Sequence, residues 1–201
     1  MPEATRIRSF IAVDLAESVC AAIGTLQGEL ARMKADVRWT RVEGMHVTLK
    51  FLGAIEAPRL DAVHAALERA LHAQPALHVR AHGVGAFPSL RRPRVLCVGL
   101  QAAGLVELAA RVDTTVTALG FEPERRAFTP HVTLGRVNSG RGWAPLEARL
   151  SGHLDDDFGA SDVDEVTIFR STLRPTGAIY TPLWTISLDK YKRGEPYDNG
   201  R

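Results

Sequence analysis

The chain has 201 residues, 45% hydrophobic and 24% charged, with a formal net charge of +2. That is the composition of an ordinary soluble globular protein, with apolar matter enough for a core without disulfides or structural metal. No run approaches ~18 apolar residues, and "MPEATRIRSF" lacks the apolar segment of a secretory leader, so neither a membrane span nor an export signal is expected. The two cysteines, Cys20 and Cys97, lie in apolar surroundings and form no C-x-x-C or Cys/His cluster, which points to small buried hydrophobes in a reduced, cytoplasmic protein. Positive charge clumps at Arg91, Arg92 and Arg94, at Arg125 and Arg126, and at Arg136 and Arg141; each cluster suits an anion or a solvated surface equally well.

In chain order, "RIRSFIAVDL" (6–15) reads as a buried strand. Val19, Ile23, Leu26, Leu30 and Met33 then recur at spacings of three and four, one apolar helical face. A turn at Glu43-Gly44 leads into a strand that Gly53 ends, and a second helix follows with Pro58 in its first turn and a stripe of Leu60, Val63, Leu67 and Leu71. Segment 76–87 alternates as a strand, with His78 and His82 on one face, a spacing that suits a metal only on a helix. A Pro- and Arg-rich loop (88–94) leads to the strand "VLCVGL". A third helix carries Leu105, Leu108, Val112, Val116 and Leu119 and closes at Gly120. A loop then runs into a strand across 122–137, followed by a short helix, and two strands (161–173 and 178–188) joined by "RPTG". A polar tail, 189–201, ends the chain beyond a single domain of 1–188. This order argues for an α+β fold with largely antiparallel sheets and helices outside.

One tetrapeptide, "HVTL", occurs twice, at 46–49 and at 131–134. Side chains alternate along a strand, so each copy buries Val and Leu on one face and offers His and Thr on the other. If the two strands face each other, His46, His131, Thr48 and Thr133 converge. One neutral imidazole can take a proton from an attacking oxygen, and one protonated imidazole can give a proton to a departing oxygen. The two hydroxyls can hold the non-bridging oxygens of a phosphate. The competing readings are two unrelated structural strands, or a two-histidine metal site, which lacks a third ligand within a few residues of either copy. Neither a P-loop nor a cysteine nucleophile is found.

Paired H-x-T-x motifs with "RSFIAVDL", "HVTLKFLG", "GAFPSLRRPRVLCVGL", "FTPHVTLGRV" and "STLRPTGAIYTPL" resemble the 2H phosphoesterase superfamily, in its RNA 2′,3′-cyclic phosphodiesterase or 2′-5′ RNA ligase branch. The resemblance extends to about residue 188. It implies a bilobal fold with two pseudo-symmetric lobes, their antiparallel sheets lining a central cleft. It implies hydrolysis of 2′,3′-cyclic phosphates at RNA 3′ ends to 2′-phosphomonoesters, in some members also 2′-5′ joining, with no metal or other cofactor. By resemblance His46 is the proton donor to the leaving oxygen and His131 the base, with Thr48 and Thr133 on the phosphate. Arg126, Phe128 and Arg136 lie near the nucleotide, and Tyr180 and Ser171 border the cleft. Arg136 differs in parity from His131, so a flat strand turns it away. Arg170 stands where many relatives are acidic, which makes that rim more basic. The expected partner is RNA alone, met by a monomer; the alternative is a module that holds an RNA end without turnover.

Overall fold

The computed structural model describes residues 6–174 and 177–190. The elements are β1 (Arg6–Val13), α1 (Glu17–Ala31), β2 (Val37–Trp39), β3 (Val47–Glu56), α2 (Ala57–Leu71), β4 (Leu77–Phe87), β5 (Val95–Gln101), α3 (Leu105–Thr117), β6 (His131–Val137), α4 (Trp143–Leu150), β7 (Asp157–Val163), β8 (Glu165–Arg174) and β9 (Gly177–Ser187). They make two sheets, ordered β3-β1-β8-β9 and β2-β6-β5-β4-β7. Every strand pairing within them is antiparallel. The class is α+β, as the sequence indicates.

The helices form where their apolar stripes demand it. Ile23 and Leu30 on α1, Leu60, Val63, Leu67 and Leu71 on α2, and Leu105, Leu108, Val112 and Val116 on α3 are fully buried. Each such side chain is worth roughly 1.5–3 kcal/mol of burial. They share one core with Val13 and Ile168 of the first sheet and with Leu96, Val98 and Leu134 of the second. Gly120, at φ +82°, ends α3 with the paired bonds Phe121 N–H to Val116 O and Gly120 N–H to Thr117 O, the glycine-closed terminus expected there.

The sheets do not correspond to the two halves of the chain. Each half opens with a strand that lies beside its own motif strand: β1 beside β3, and β5 beside β6. Each half then sends a later strand to the other sheet. β4 pairs with β5, and β8 pairs with β1. The halves thus exchange strands, and each of the two sheets draws on both of them.

Four sequence expectations change. Met33 lies beyond the end of α1 and is exposed, because the helix has already closed at Ala31. Gly53 does not end its strand; β3 runs on to Glu56, and Gly53, at φ +76°, sits opposite Ser9 next to a break in register with β1. Segment 161–173 is not one strand: β7 ends at Val163 in the second sheet and β8 begins at Glu165 in the first. Asp189 belongs to the fold, since its N–H donates to Gln74 O and its carbonyl accepts from Ala76 N–H. The middle of the expected "RPTG" turn and residues 191–201 of the expected tail lie outside the described residues. Among the described residues no helix is long and apolar enough to cross a membrane.

Candidate functional site

Both tetrapeptides fall where alternation places them. Val47, Val132 and Leu134 are fully buried and Leu49 nearly so, while His46, Thr48, His131 and Thr133 are partly exposed. His46 immediately precedes β3, and His131 is the first residue of β6.

The register beyond each motif is broken in the same way. On β3, Thr48 faces Ala12 and Lys50 faces Ile11, so Leu49 is an extra residue. On β6, Thr133 faces Cys97 and Gly135 faces Leu96, so Leu134 is the extra one. Each motif therefore carries a β-bulge at its leucine, which reverses the alternation after it. Arg136 pairs with Val95, which shares the face of Cys97 and hence of Thr133. The bulge is the bend that a flat strand lacked, and it returns Arg136 to the histidine face. The carbonyl of Leu134 is not wasted: it accepts from Thr40 N–H at 2.8 Å and from the buried Gln27 Nε2 at 2.8 Å. Gly135 follows because β2 crosses there; a Cβ would stand 2.8 Å from Val37 Cγ1 and 3.1 Å from Arg38 O.

The two histidines are held alike. His46 Nδ1 lies 2.8 Å from Gly44 O, and His131 Nδ1 lies 2.7 Å from Thr129 O, the carbonyl two residues back in each case. A carbonyl can only accept, so Nδ1 carries the proton and Nε2 is left as the working nitrogen. Their surroundings differ. The His46 ring stacks on Phe10 at 4.7 Å and meets the edge of Tyr180 at 4.9 Å. Burial depresses its pKa to about 4, outweighing the Gly44 bond that pulls the other way. His131 meets a single described ring, Phe87, at 4.8 Å. Phe87 is the last residue of β4, so the loop bearing the exposed Arg91, Arg92 and Arg94 starts beside His131.

The bulge at Leu49 also turns Lys50 onto the helix side. There its ammonium is almost wholly buried, donating to Asp113 Oδ1 at 2.5 Å and to Glu122 O at 2.6 Å. Asp113, on α3, also accepts from Glu124 N–H, and Glu124 Oε1 accepts from the N–H groups of Arg125 and Arg126. One chain of charge-assisted bonds thus runs from the first motif strand to the loop before the second motif. Sequence reading missed Lys50, Asp113 and Gln27. A Lys next to an apolar run reads as a strand-end surface charge, and nothing in the sequence reveals the bulge that inverts it.

Of the other expected residues, Tyr180 touches His46, and Ser171 pairs with Tyr180 across the β8–β9 ladder. Arg126 is exposed on the 122–130 loop and Phe128 packs partly against the core. Arg170 does not join this rim. It pairs with Ser9, one residue off the Phe10–Phe169 pair, and so faces away from the aromatic side. Cys97 lies opposite Thr133, but burial pushes its thiol up to about 11, so it offers no thiolate at neutral pH. Cys20 is only half-buried. A cavity of about 510 Å³ opens beside His46 between Glu43, Asp14, Phe169 and Tyr180. It flanks the first histidine and does not extend to His131, so it widens one side of the site rather than containing it. His78 bonds Asp162, and among the described residues no three His, Cys, Asp or Glu side chains gather as metal ligands.

Each motif thus presents an imidazole able to exchange a proton through Nε2 and, on the same strand face, a hydroxyl able to bind an anion. Known proteins resemble the chain over most of its length. The family model for LigT-like phosphoesterases matches twice, over residues 13–97 and 98–180, once for each motif-bearing half. An RNA 2′,3′-cyclic phosphodiesterase of Methanothermobacter thermautotrophicus is 33% identical over 180 residues, covering 89% of this chain and 97% of that protein. One of Methanocaldococcus jannaschii is 32% identical over 174 residues, covering 87% and 96%. A solved structure from Thermus thermophilus superposes with a TM-score of 0.76 at 28% identity, over 92% of this chain and 100% of that one.

Proposed function

Because the chain belongs to the LigT-like phosphoesterase family, we propose that it hydrolyses 2′,3′-cyclic phosphates at RNA 3′ ends to 2′-phosphomonoesters by acid–base catalysis between His46 and His131, with no metal. The observation that carries this reading is the matched presentation of the two imidazoles, each with Nδ1 tied to the carbonyl two residues back. Water attacks phosphorus while Nε2 of His131 takes its proton. The bond from phosphorus to the 3′ oxygen breaks, and that oxygen receives the proton from Nε2 of His46. Thr48 and Thr133 hold the non-bridging oxygens, with Arg126 and Arg136 adding positive charge, and Phe128, Tyr180 and Ser171 border the nucleotide.

Burial keeps His46 neutral in the free protein, so its proton arrives with the substrate. The phosphate monoanion supplies the opposite charge that burial withholds and raises the pKa of the bound imidazole. A 5′-hydroxyl in place of water gives a 2′-5′ linkage by the same transfer, so ligation uses the same site. A single domain working as a cytoplasmic monomer suffices for this chemistry.

The test is a short RNA ending in a 2′,3′-cyclic phosphate, incubated with EDTA present. The expected product is the 2′-phosphate at an undiminished rate. A 3′-phosphate product would reverse the leaving oxygen, and loss of turnover in EDTA would refute the metal-free step. Tight retention of product-like RNA with no turnover would make the cleft a binding module instead.

A further inference from the structure

The matched bulges put unlike residues in like places. Arg136 lies two residues past the bulged leucine of the second motif, and Phe51 lies two residues past that of the first. Phe51 pairs with Phe10 as Arg136 pairs with Val95, and each faces the same way as its motif's threonine. Phe51 is 61% exposed, a large apolar side chain left in water. Its ring stands 6.1 Å from that of Phe10, which in turn stacks on His46. Arg8, two residues before Phe10 on β1, alternates onto the same face. It is exposed and has no ion pair among the described residues. The face of the first sheet thus continues outward from His46 as a buried ring, an exposed ring and an exposed cation.

An exposed Phe alone is unremarkable on a protein surface. An exposed ring and a cation that extend an anion-transferring site fit one kind of partner: a single strand whose bases stack and whose phosphates carry charge. Resting on the proposed activity, we propose that Phe51 and Arg8 form a subsite for the RNA strand that leads to the cyclic-phosphate end. A base adjoining the terminal nucleotide stacks on Phe51, and a backbone phosphate pairs with Arg8. The specificity this creates is for oligonucleotides over mononucleotides.

The experiment compares wild type, Phe51→Ala, Phe51→Trp and Arg8→Ala on two substrates. One is a nucleoside 2′,3′-cyclic monophosphate, the other a six-nucleotide RNA with the same end. Phe51→Ala raises KM for the oligonucleotide roughly 5- to 150-fold, the range of one stacked base, and leaves kcat and the mononucleotide reaction unchanged. Phe51→Trp restores the oligonucleotide KM. Arg8→Ala lowers the slope of log affinity against log salt by about 0.7, one phosphate contact on a single strand. Equal effects on both substrates, or none on either, overturn the subsite. If the wild type turns over neither substrate, the activity reading fails separately. Fluorescence anisotropy with the 2′-phosphorylated hexanucleotide then decides the subsite: weaker binding in Phe51→Ala upholds it, and unchanged binding refutes it.

Discussion

His46 and His131 share a local geometry and differ in environment, and the difference predicts how they respond to perturbation. Under the proposed mechanism, alanine at either position removes a proton-transfer partner and lowers kcat by about 10²–10⁴-fold. A nucleoside phosphodiester with a 4-nitrophenolate leaving group needs no acid, so it spares His46→Ala and not His131→Ala. Rescue of His131→Ala instead would exchange the two roles. Burial in the Phe10–Tyr180 box gives His46 a second signature. Its pKa falls from 6.5 to about 4 on folding. Between those values the unfolded chain binds more protons than the folded one, so stability falls as pH drops through that window. His46→Ala removes the linkage. In urea titrations at pH 7, 6, 5 and 4, the wild type therefore loses stability relative to the variant; parallel curves would contradict the buried neutral imidazole. Phosphate, by pairing with His46, shifts its NMR titration upward.

At the scale of elements, β3 and β6 are irregular in a way that does structural and chemical work at once. The bulge at Leu49 turns Lys50 inward, where it joins β3 to α3 and to the loop before His131. Lys50→Ala leaves the Asp113 carboxylate without its buried partner. Asp113 keeps 24% exposure, so the loss is about 3 kcal/mol, the low end for breaking such a pair, read as a lower urea midpoint. A midpoint equal to that of wild type would mean the bridge is incidental. The bulge at Leu134 depends on β2 lying against Gly135. A Cβ there collides with Val37 and with the backbone of Arg38. Gly135→Ala therefore costs about 1–3 kcal/mol of overpacking and weakens binding of phosphate, because Arg136 follows directly. These features explain what the sequence hid. Helix stripes repeat over many residues and are read directly. A bulge is one extra residue in a pairing, and its partner strand lies elsewhere in the chain.

For the whole molecule, the exchange of β4 and β8 between halves makes the two motifs interdependent. β1 needs β8 as a neighbour and β5 needs β4, so neither half retains its own sheet when cut from the other. The chain should unfold in one transition, with coincident far-ultraviolet circular dichroism and tryptophan fluorescence curves. A fragment of residues 1–97 should show no cooperative melt. Two separated transitions would mean that the halves are independent domains. The family model matches each half once, and each of the two sheets draws strands from both halves.

The sequence by itself determined the secondary elements with long apolar periods, the α+β class and the strand face that each His-x-Thr motif presents. Those features depend on side-chain spacing along one stretch of chain, and spacing is visible locally. Only the tertiary structure decided the rest: the split of 161–173 between two sheets, the return of Arg136 to the histidine face, the turning away of Arg170, and the burial of Lys50 and His46. Each depends on which distant strand lies alongside and at what register. That is fixed by the closing of a common core over both halves, not by any residue's immediate neighbours.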